Sequence, residues 1–201
     1  MITHCNTKFN DISYNNIINK YPFELSNFQK WAIKGTNENK NVLITAHTGS
    51  GKTLAAEHAI NYYVEKGKKV IYCTPLKALS NEKLNDFSQK FPNISFGILT
   101  GDIKYNPDAE VLIMTTEILR NNLFQMKEKD ETQENLTLDF EMDIKNELAC
   151  VIYDEIHYIN DVDRGHVWEE SIMLLPETTQ IMGLSATIQN PEKLCSLMNR
   201  S

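Results

Sequence analysis

The stretch NVLITAHTGSGKTLAAEHAI, residues 41–60, passes from an apolar, β-branched run through a Gly-rich turn into a segment of helical spacing, with Lys52 and Thr53 at the junction. In a strand–turn–helix of this kind backbone N–H groups converge where the helix dipole is positive, so the turn can cradle an anion. The turn itself, AHTGSGKT from Ala46 to Thr53, fits the pattern G-x-x-x-x-G-K-[ST] except that Ala46 stands in place of the first glycine. In such a loop the backbone from Thr48 through Gly49, Ser50 and Gly51 wraps the phosphates of a nucleotide. Lys52 reaches the β and γ phosphates, and the Thr53 hydroxyl holds Mg²⁺.

Outward from this turn, short apolar runs recur: KKVIYCTP, ISFGILT, EVLIMTT, CVIYDE and QIMGLSAT, each bounded by polar or turn residues. They read as buried strands. Two intervening segments, GKTLAAEHAINYYVEKG and LKALSNEKLNDFSQKF, have helical spacing, the first with a stop at Gly67. The alternation predicts an α/β fold of right-handed βαβ units, with a mainly parallel sheet flanked by helices on both faces. Ligands of such folds sit at the carboxyl ends of the strands. With 201 residues, 41% of them hydrophobic, and no internal repeat, one domain is expected.

The formal charge of −7 speaks against a nucleic-acid partner only superficially, because eight acidic and three basic residues fall within Lys127 to Glu147. That segment accounts for most of the excess and reads as a solvated loop over 126–148, with a short ordered piece around LTLDFEM. Cys5, Cys73, Cys150 and Cys195 lie far apart without metal-ligand spacing, so they are expected to be buried or inert thiols. No run has the apolar length of a membrane span and the first residues lack the layout of a secretion signal, which predicts a soluble, intracellular protein without a membrane partner. The 21 asparagines hint at an AT-rich coding genome, viral or protozoan.

A second chemical element is CVIYDEIHYI, in which an apolar run ends directly in Asp154 and Glu155. Two carboxylates at the end of a buried strand are costly unless they meet cations or water. Hydrolysis of a γ-phosphate needs one carboxylate on Mg²⁺, here Asp154, and one that polarises the attacking water, here Glu155.

Taken together, AHTGSGKT, DEIH from Asp154 to His157 and SAT from Ser185 to Thr187 resemble the first RecA-like domain of superfamily 2 DExH-box helicases. PFELSNFQ, TPLKALSNEK, LTGD, NPDAEVLIMTTEILR and DEIHYINDVDRGHVWEESIMLLP narrow the resemblance to the Ski-like RNA helicases that deliver RNA to the exosome. It covers residues 21–199 and leaves 1–20 as an N-terminal extension. The resemblance implies ATP as the nucleotide, with Phe23 stacked on adenine and Gln29 bonded to its edge. It also implies that His157, Ser185 and Thr187 couple the nucleotide to the strand-binding face. Pro75, Lys77, Thr100, Gly101, Asp102, Thr116 and Glu117, with Arg120 as a weaker candidate, match positions that grip a single-stranded RNA backbone without reading bases. Arg164 and Trp168 are expected to pack the segment after DEIH, and His47, His58 and His166 to be satisfied core histidines.

The sequence departs from the family in two respects. The acidic segment is longer than the usual link at that point, and no second RecA-like domain, with its arginine finger and its half of the RNA groove, lies within the 201 residues. The expectation is therefore the ATP-binding domain of an ATP-dependent RNA helicase acting in RNA processing or turnover. It would work with a second RecA-like domain and an RNA-degradation machinery. Two rivals stand beside it: a DNA helicase or translocase of the same superfamily, and a nucleotide-gated RNA-binding module without turnover.

Overall fold

The computed structural model describes residues 2–132 and 142–200. Among these described residues seven strands form one sheet: β1 Val42–Thr45, β2 Lys69–Thr74, β3 Phe96–Leu99, β4 Lys104–Tyr105, β5 Val111–Thr115, β6 Leu148–Tyr153 and β7 Gln180–Ser185. Their order is β1-β7-β6-β2-β5-β3-β4, and every pairing is parallel except that of β4, an antiparallel edge strand on β3. The six expected strands are present; β4 is additional, too short and too exposed to leave a period in the sequence.

A parallel strand covered on both faces carries apolar side chains on both sides, which is why β2, β5, β6 and β7 read as continuous runs rather than alternating ones. One face packs against α2 Asn27–Asn37, α3 Thr53–Val64 and α4 Lys77–Lys90, through Ala32, Ala55, Ala56, Ala59, Ile60 and Phe87. The other packs against α5 Thr116–Thr132, α6 Gly165–Leu174 and α7 Pro191–Met198, through Leu119, Leu123, Trp168, Ile172 and Leu194. A short α1, Asn15–Ile18, follows the N-terminal strand-free segment. The segment lies along α2, with Trp31 Nε1 donating to the Thr7 carbonyl at 3.0 Å and the Phe9 ring edge-on to Trp31 at 5.1 Å. Gly67, at φ +68°, closes the turn after α3 where a side chain would be strained.

Two expectations need correction. The stretch 126–148 is not loop throughout: α5 continues to Thr132, while Met142 and Ile144 are buried in the α5–α7 core before β6 begins. Local charge misled the reading because a helix tolerates a solvated acidic face, and two apolar side chains suffice to pin the return. Residues 133–141, including most of LTLDFEM, lie outside the described residues. His47 and His166 are exposed rather than core residues. Among the cysteines, Cys73 and Cys150 are buried in the sheet, whereas Cys5 is exposed. Among the described residues no helix is long and apolar enough to cross a membrane.

Candidate nucleotide site and nucleic-acid interface

The strand order gathers the motifs. AHTGSGKT follows β1, DEIH follows β6 and SAT begins at the last residue of β7, and these are three adjacent strands, so the three turns meet at one end of the sheet. In the first turn Gly49 and Gly51 lie at φ +81° and +83°, the left-handed region that side chains resist. At Gly51 there is a second reason for glycine: a Cβ would stand 2.8 Å from Gln29 Nε2. Lys52 Nζ donates to the carbonyls of Ala46 at 2.6 Å and His47 at 3.1 Å, so the ammonium lies inside the curve of the turn. Thr48 and Gly49 are exposed, and Thr53 opens α3.

Gln29 ties the segment before α2 to this turn. Its Oε1 accepts from Ser26 N–H at 2.8 Å, one arm of a capping box, and its Nε2 donates to the Gly51 carbonyl at 3.1 Å. Each end of the amide keeps one further hydrogen-bonding position. Phe23 is 55% exposed, its ring 6.2 Å from that of Tyr21 and tilted to it, and so presents an open face. Tyr21 in turn bonds His58 Nδ1 on α3 at 3.0 Å, and His58 Nε2 meets Asn37 Oδ1 at 2.9 Å. With Tyr21 donating its hydroxyl proton, His58 carries its own on Nε2. Burial pushes the His58 pKa down to about 4 and keeps the ring neutral.

At the end of β6 the two carboxylates have different surroundings. Asp154 Oδ2 accepts from the Tyr72 hydroxyl at 2.7 Å, and Oδ1 accepts from Glu155 N–H at 3.0 Å. Glu155 has φ +52°, unusual for a residue with a side chain, and opens the 3₁₀ turn Ile156–Asn160. Its Oε2 is 3.2 Å from His157 Nδ1 but off the hydrogen-bond axis, and is buried without a hydrogen-bond partner. His157 Nδ1 also lies 3.4 Å from Ser185 Oγ, which donates to the Thr187 carbonyl at 2.7 Å. Glu155, His157, Ser185 and Thr187 thus form one chain of contacts from the carboxylate to the SAT turn. Asp154 and Thr53 offer a carboxylate and a hydroxyl, hard oxygen donors suited to Mg²⁺.

Tyr72 escaped the sequence reading. It sits mid-strand in an apolar run, and its partner is fixed only by the β2–β6 register, in which Tyr72 pairs with Ile152 two residues before Asp154. Its single sequence signal is that a fully buried tyrosine must place its hydroxyl on something. Burial, and then the negative charge of Asp154, raise its pKa well above the usual phenol value, so it is a donor.

The remaining candidates lie after β2, β5 and β3, the next three strands in the sheet. Lys77 Nζ is paired with Asp102, and Gly101 lies beside it, a Cβ there standing 3.4 Å from Nζ. Thr100 Oγ1 accepts from Ile103 N–H at 3.3 Å. Thr116, at the start of α5, is buried with no hydrogen-bond partner for its hydroxyl. Pro75 and Glu117 are bridged by Arg164, which pairs with the Glu117 carboxylate and donates to the Pro75 carbonyl at 3.0 Å. Arg120 is turned to Glu170 at 2.6 Å and lies over the Phe124 ring. Trp168 is fully buried in the α5–α7 core, with Tyr158 stacked on it. The carboxyl edge of the sheet is therefore divided between β1, β7 and β6 on one side and β2, β5 and β3 on the other.

The motifs and the fold can be set beside known proteins. The family model for DEAD/DEAH box helicases matches residues 26–194. The chain is 41% identical over 181 residues to the antiviral helicase SKI2 of Saccharomyces cerevisiae, covering 90% of this chain and 13% of that protein. It is 43% identical over 171 residues to the human exosome RNA helicase MTR4, covering 85% of this chain and 15% of that protein. A crystal structure of the DUF1998 helicase MrfA bound to DNA superposes with a TM-score of 0.70 at 17% identity, over 94% of this chain and 28% of that one, a likeness of fold. The chain thus spans about an eighth to a sixth of the length of the curated relatives it matches. By its motifs, its sheet order and a family model that takes in most of its length, the chain belongs to the DEAD/DEAH box helicases.

Proposed function

We propose that this chain is the nucleotide-binding domain of an ATP-dependent RNA helicase of the Ski-like branch, coupling ATP hydrolysis to movement along single-stranded RNA. The observation that carries the reading is the contact chain from Glu155 through His157 to Ser185 and Thr187, because it links the carboxylate of the nucleotide site to a second motif on a neighbouring strand. A bound triphosphate would lie over Gly49, Ser50 and Gly51, with Lys52 against its outer phosphates. Phe23 would stack on adenine, and Gln29 would use the free position of its amide on the base edge. Thr53 and Asp154 would hold Mg²⁺, which neutralises phosphate charge when bound. Glu155 would orient the attacking water and accept its proton.

RNA would run past the ends of β2, β5 and β3, touching Pro75, Lys77, Thr100, Gly101, Asp102, Thr116 and Glu117. Backbone N–H groups and helix N-termini hold phosphates there with few cations. Arg120 drops in weight, since Glu170 already neutralises it. The name of MTR4, an exosome RNA helicase, supports extending the reading to RNA turnover with an RNA-degradation machinery as partner, and the reading adds a second RecA-like domain. DNA is the second reading, favoured by the fold likeness to MrfA. Full-length protein is assayed for ATP turnover with single-stranded RNA and with DNA of the same sequence. RNA stimulation alone supports the first reading, stimulation by DNA alone replaces it with the second, and absence of ATP hydrolysis overturns both.

A further inference from the structure

We infer that Tyr72 is a positioning residue for Asp154, holding its carboxylate in the one orientation that serves the metal-bound nucleotide; the inference rests on the nucleotide-site reading above. Tyr72 has no solvent exposure and stands on β2, not on any of the three turns that build the site. Its ring is held edge-on by Phe87 of α4 at 5.2 Å and belongs to the core under α3, so it has no alternative place for its hydroxyl. That hydroxyl reaches Asp154 Oδ2 at 2.7 Å.

Asp154 is fastened at three points. Its N–H donates to the Cys73 carbonyl at 2.8 Å, which extends the β2–β6 ladder by one residue. Oδ1 accepts from Glu155 N–H and Oδ2 from Tyr72. The first bond is a backbone matter that any residue would share, and the second ties the carboxylate only to the neighbouring peptide. With Oδ1 tied to the adjacent N–H, the bond from Tyr72 gives Oδ2 its own anchor and completes the restraint on the carboxylate's last torsion, while leaving outward lone pairs on both oxygens. A donor to a ligating carboxylate typically matters about 10- to 100-fold in metal affinity, because an unfastened carboxylate must be ordered each time it binds. Phenylalanine would fill the same volume and keep the packing on Phe87, so the hydroxyl can be tested apart from the ring.

The test uses this chain and its Tyr72→Phe variant, each titrated with the fluorescent analogue mant-ATP in EDTA and then with Mg²⁺ at fixed nucleotide, with thermal unfolding as a check on folding. The expected result is unchanged affinity in EDTA and a rise of about tenfold or more in the Mg²⁺ concentration that gives half of the metal-dependent signal. In an Asp154→Asn background, adding Tyr72→Phe should shift nothing further, since the carboxylate it positions is gone. An unshifted Mg²⁺ midpoint in Tyr72→Phe overturns the inference, as does an equal loss of affinity with and without Mg²⁺, which would make the hydroxyl a matter of stability alone. A wild-type chain that shows no Mg²⁺ dependence overturns the nucleotide-site reading itself.

Discussion

Glu155 carries the largest share of the proposed chemistry. A side-chain-bearing residue in the left-handed region costs about 1–3 kcal/mol, and it persists here because the bond to Asp154 Oδ1 and the bond from Tyr158 N–H to its carbonyl fix both sides of the turn. The conformation aims the carboxylate at His157 rather than along the strand. Glu155→Gln keeps the shape and removes the proposed proton acceptor. It should leave mant-ATP affinity within about twofold and lower phosphate release by the full-length protein at least about 100-fold. Gln29 bears two loads, the cap of α2 and the tie to Gly51. Gln29→Ala should cost about 1 kcal/mol of stability through the lost cap and also erode preference for ATP over GTP. Thermal unfolding combined with competition between the two nucleotides separates these losses; a melting shift with unchanged selectivity would remove Gln29 from base recognition.

At the scale of elements, α2 and α3 are joined at one end by Tyr21, His58 and Asn37, and that junction is sensitive to pH. The pKa of His58 falls from 6.5 to about 4 on folding, so below 6.5 the unfolded chain binds a proton that the folded chain refuses. The stabilisation is complete above about pH 6.5 and is lost as pH falls towards 4, a span of about 3 kcal/mol at 1.36 kcal/mol per unit. Urea unfolding at pH 7.5 and 4.5 should show this fall in the wild type, and His58→Gln should reduce it by about 2–3 kcal/mol. A second tie between elements is Arg164, which joins the segment before α6 to the ends of β2 and β5. Arg164→Ala leaves Glu117 without its cation and the Pro75 turn without its donor, and should weaken binding of single-stranded RNA without altering nucleotide affinity in EDTA.

For the whole molecule the arginines decide what the chain can do alone. The sequence has three, and each is committed: Arg120 to Glu170, Arg164 to Glu117 and Pro75, and Arg200 to the carbonyls of Leu175, Pro176 and Thr179. An arginine set against a γ-phosphate is worth about 10³ to 10⁵ in rate. The 201-residue chain by itself should therefore bind ATP, turn it over slowly and gain little from RNA, and the RNA affinity it has should fall with added salt. Steady-state turnover with and without single-stranded RNA checks this. Brisk, RNA-stimulated hydrolysis by the chain alone would mean that one of these arginines leaves its partner or that a second copy completes the site.

The residues proposed to do chemistry could be picked out in the sequence because their motifs are local. Gly49, Gly51 and Lys52 are held in one turn, and Asp154 and Glu155 end one apolar run, so neither needs a distant partner to be seen. The six longer strands were legible for the same reason: burial on both faces writes itself as a run of apolar residues. Only the tertiary structure decided what the sheet order brings together. Placing β7 between β1 and β6 puts Ser185 beside His157, and placing β6 against β2 puts Tyr72 under Asp154. Those partners are 28 and 82 residues apart in the chain, and no period or spacing carries across such a gap. The burial of Met142 and Ile144 and the pairing of Arg164 with Glu117 belong to the same class. Local sequence fixes which groups a turn can offer, while long-range pairing in a parallel sheet fixes which groups they meet.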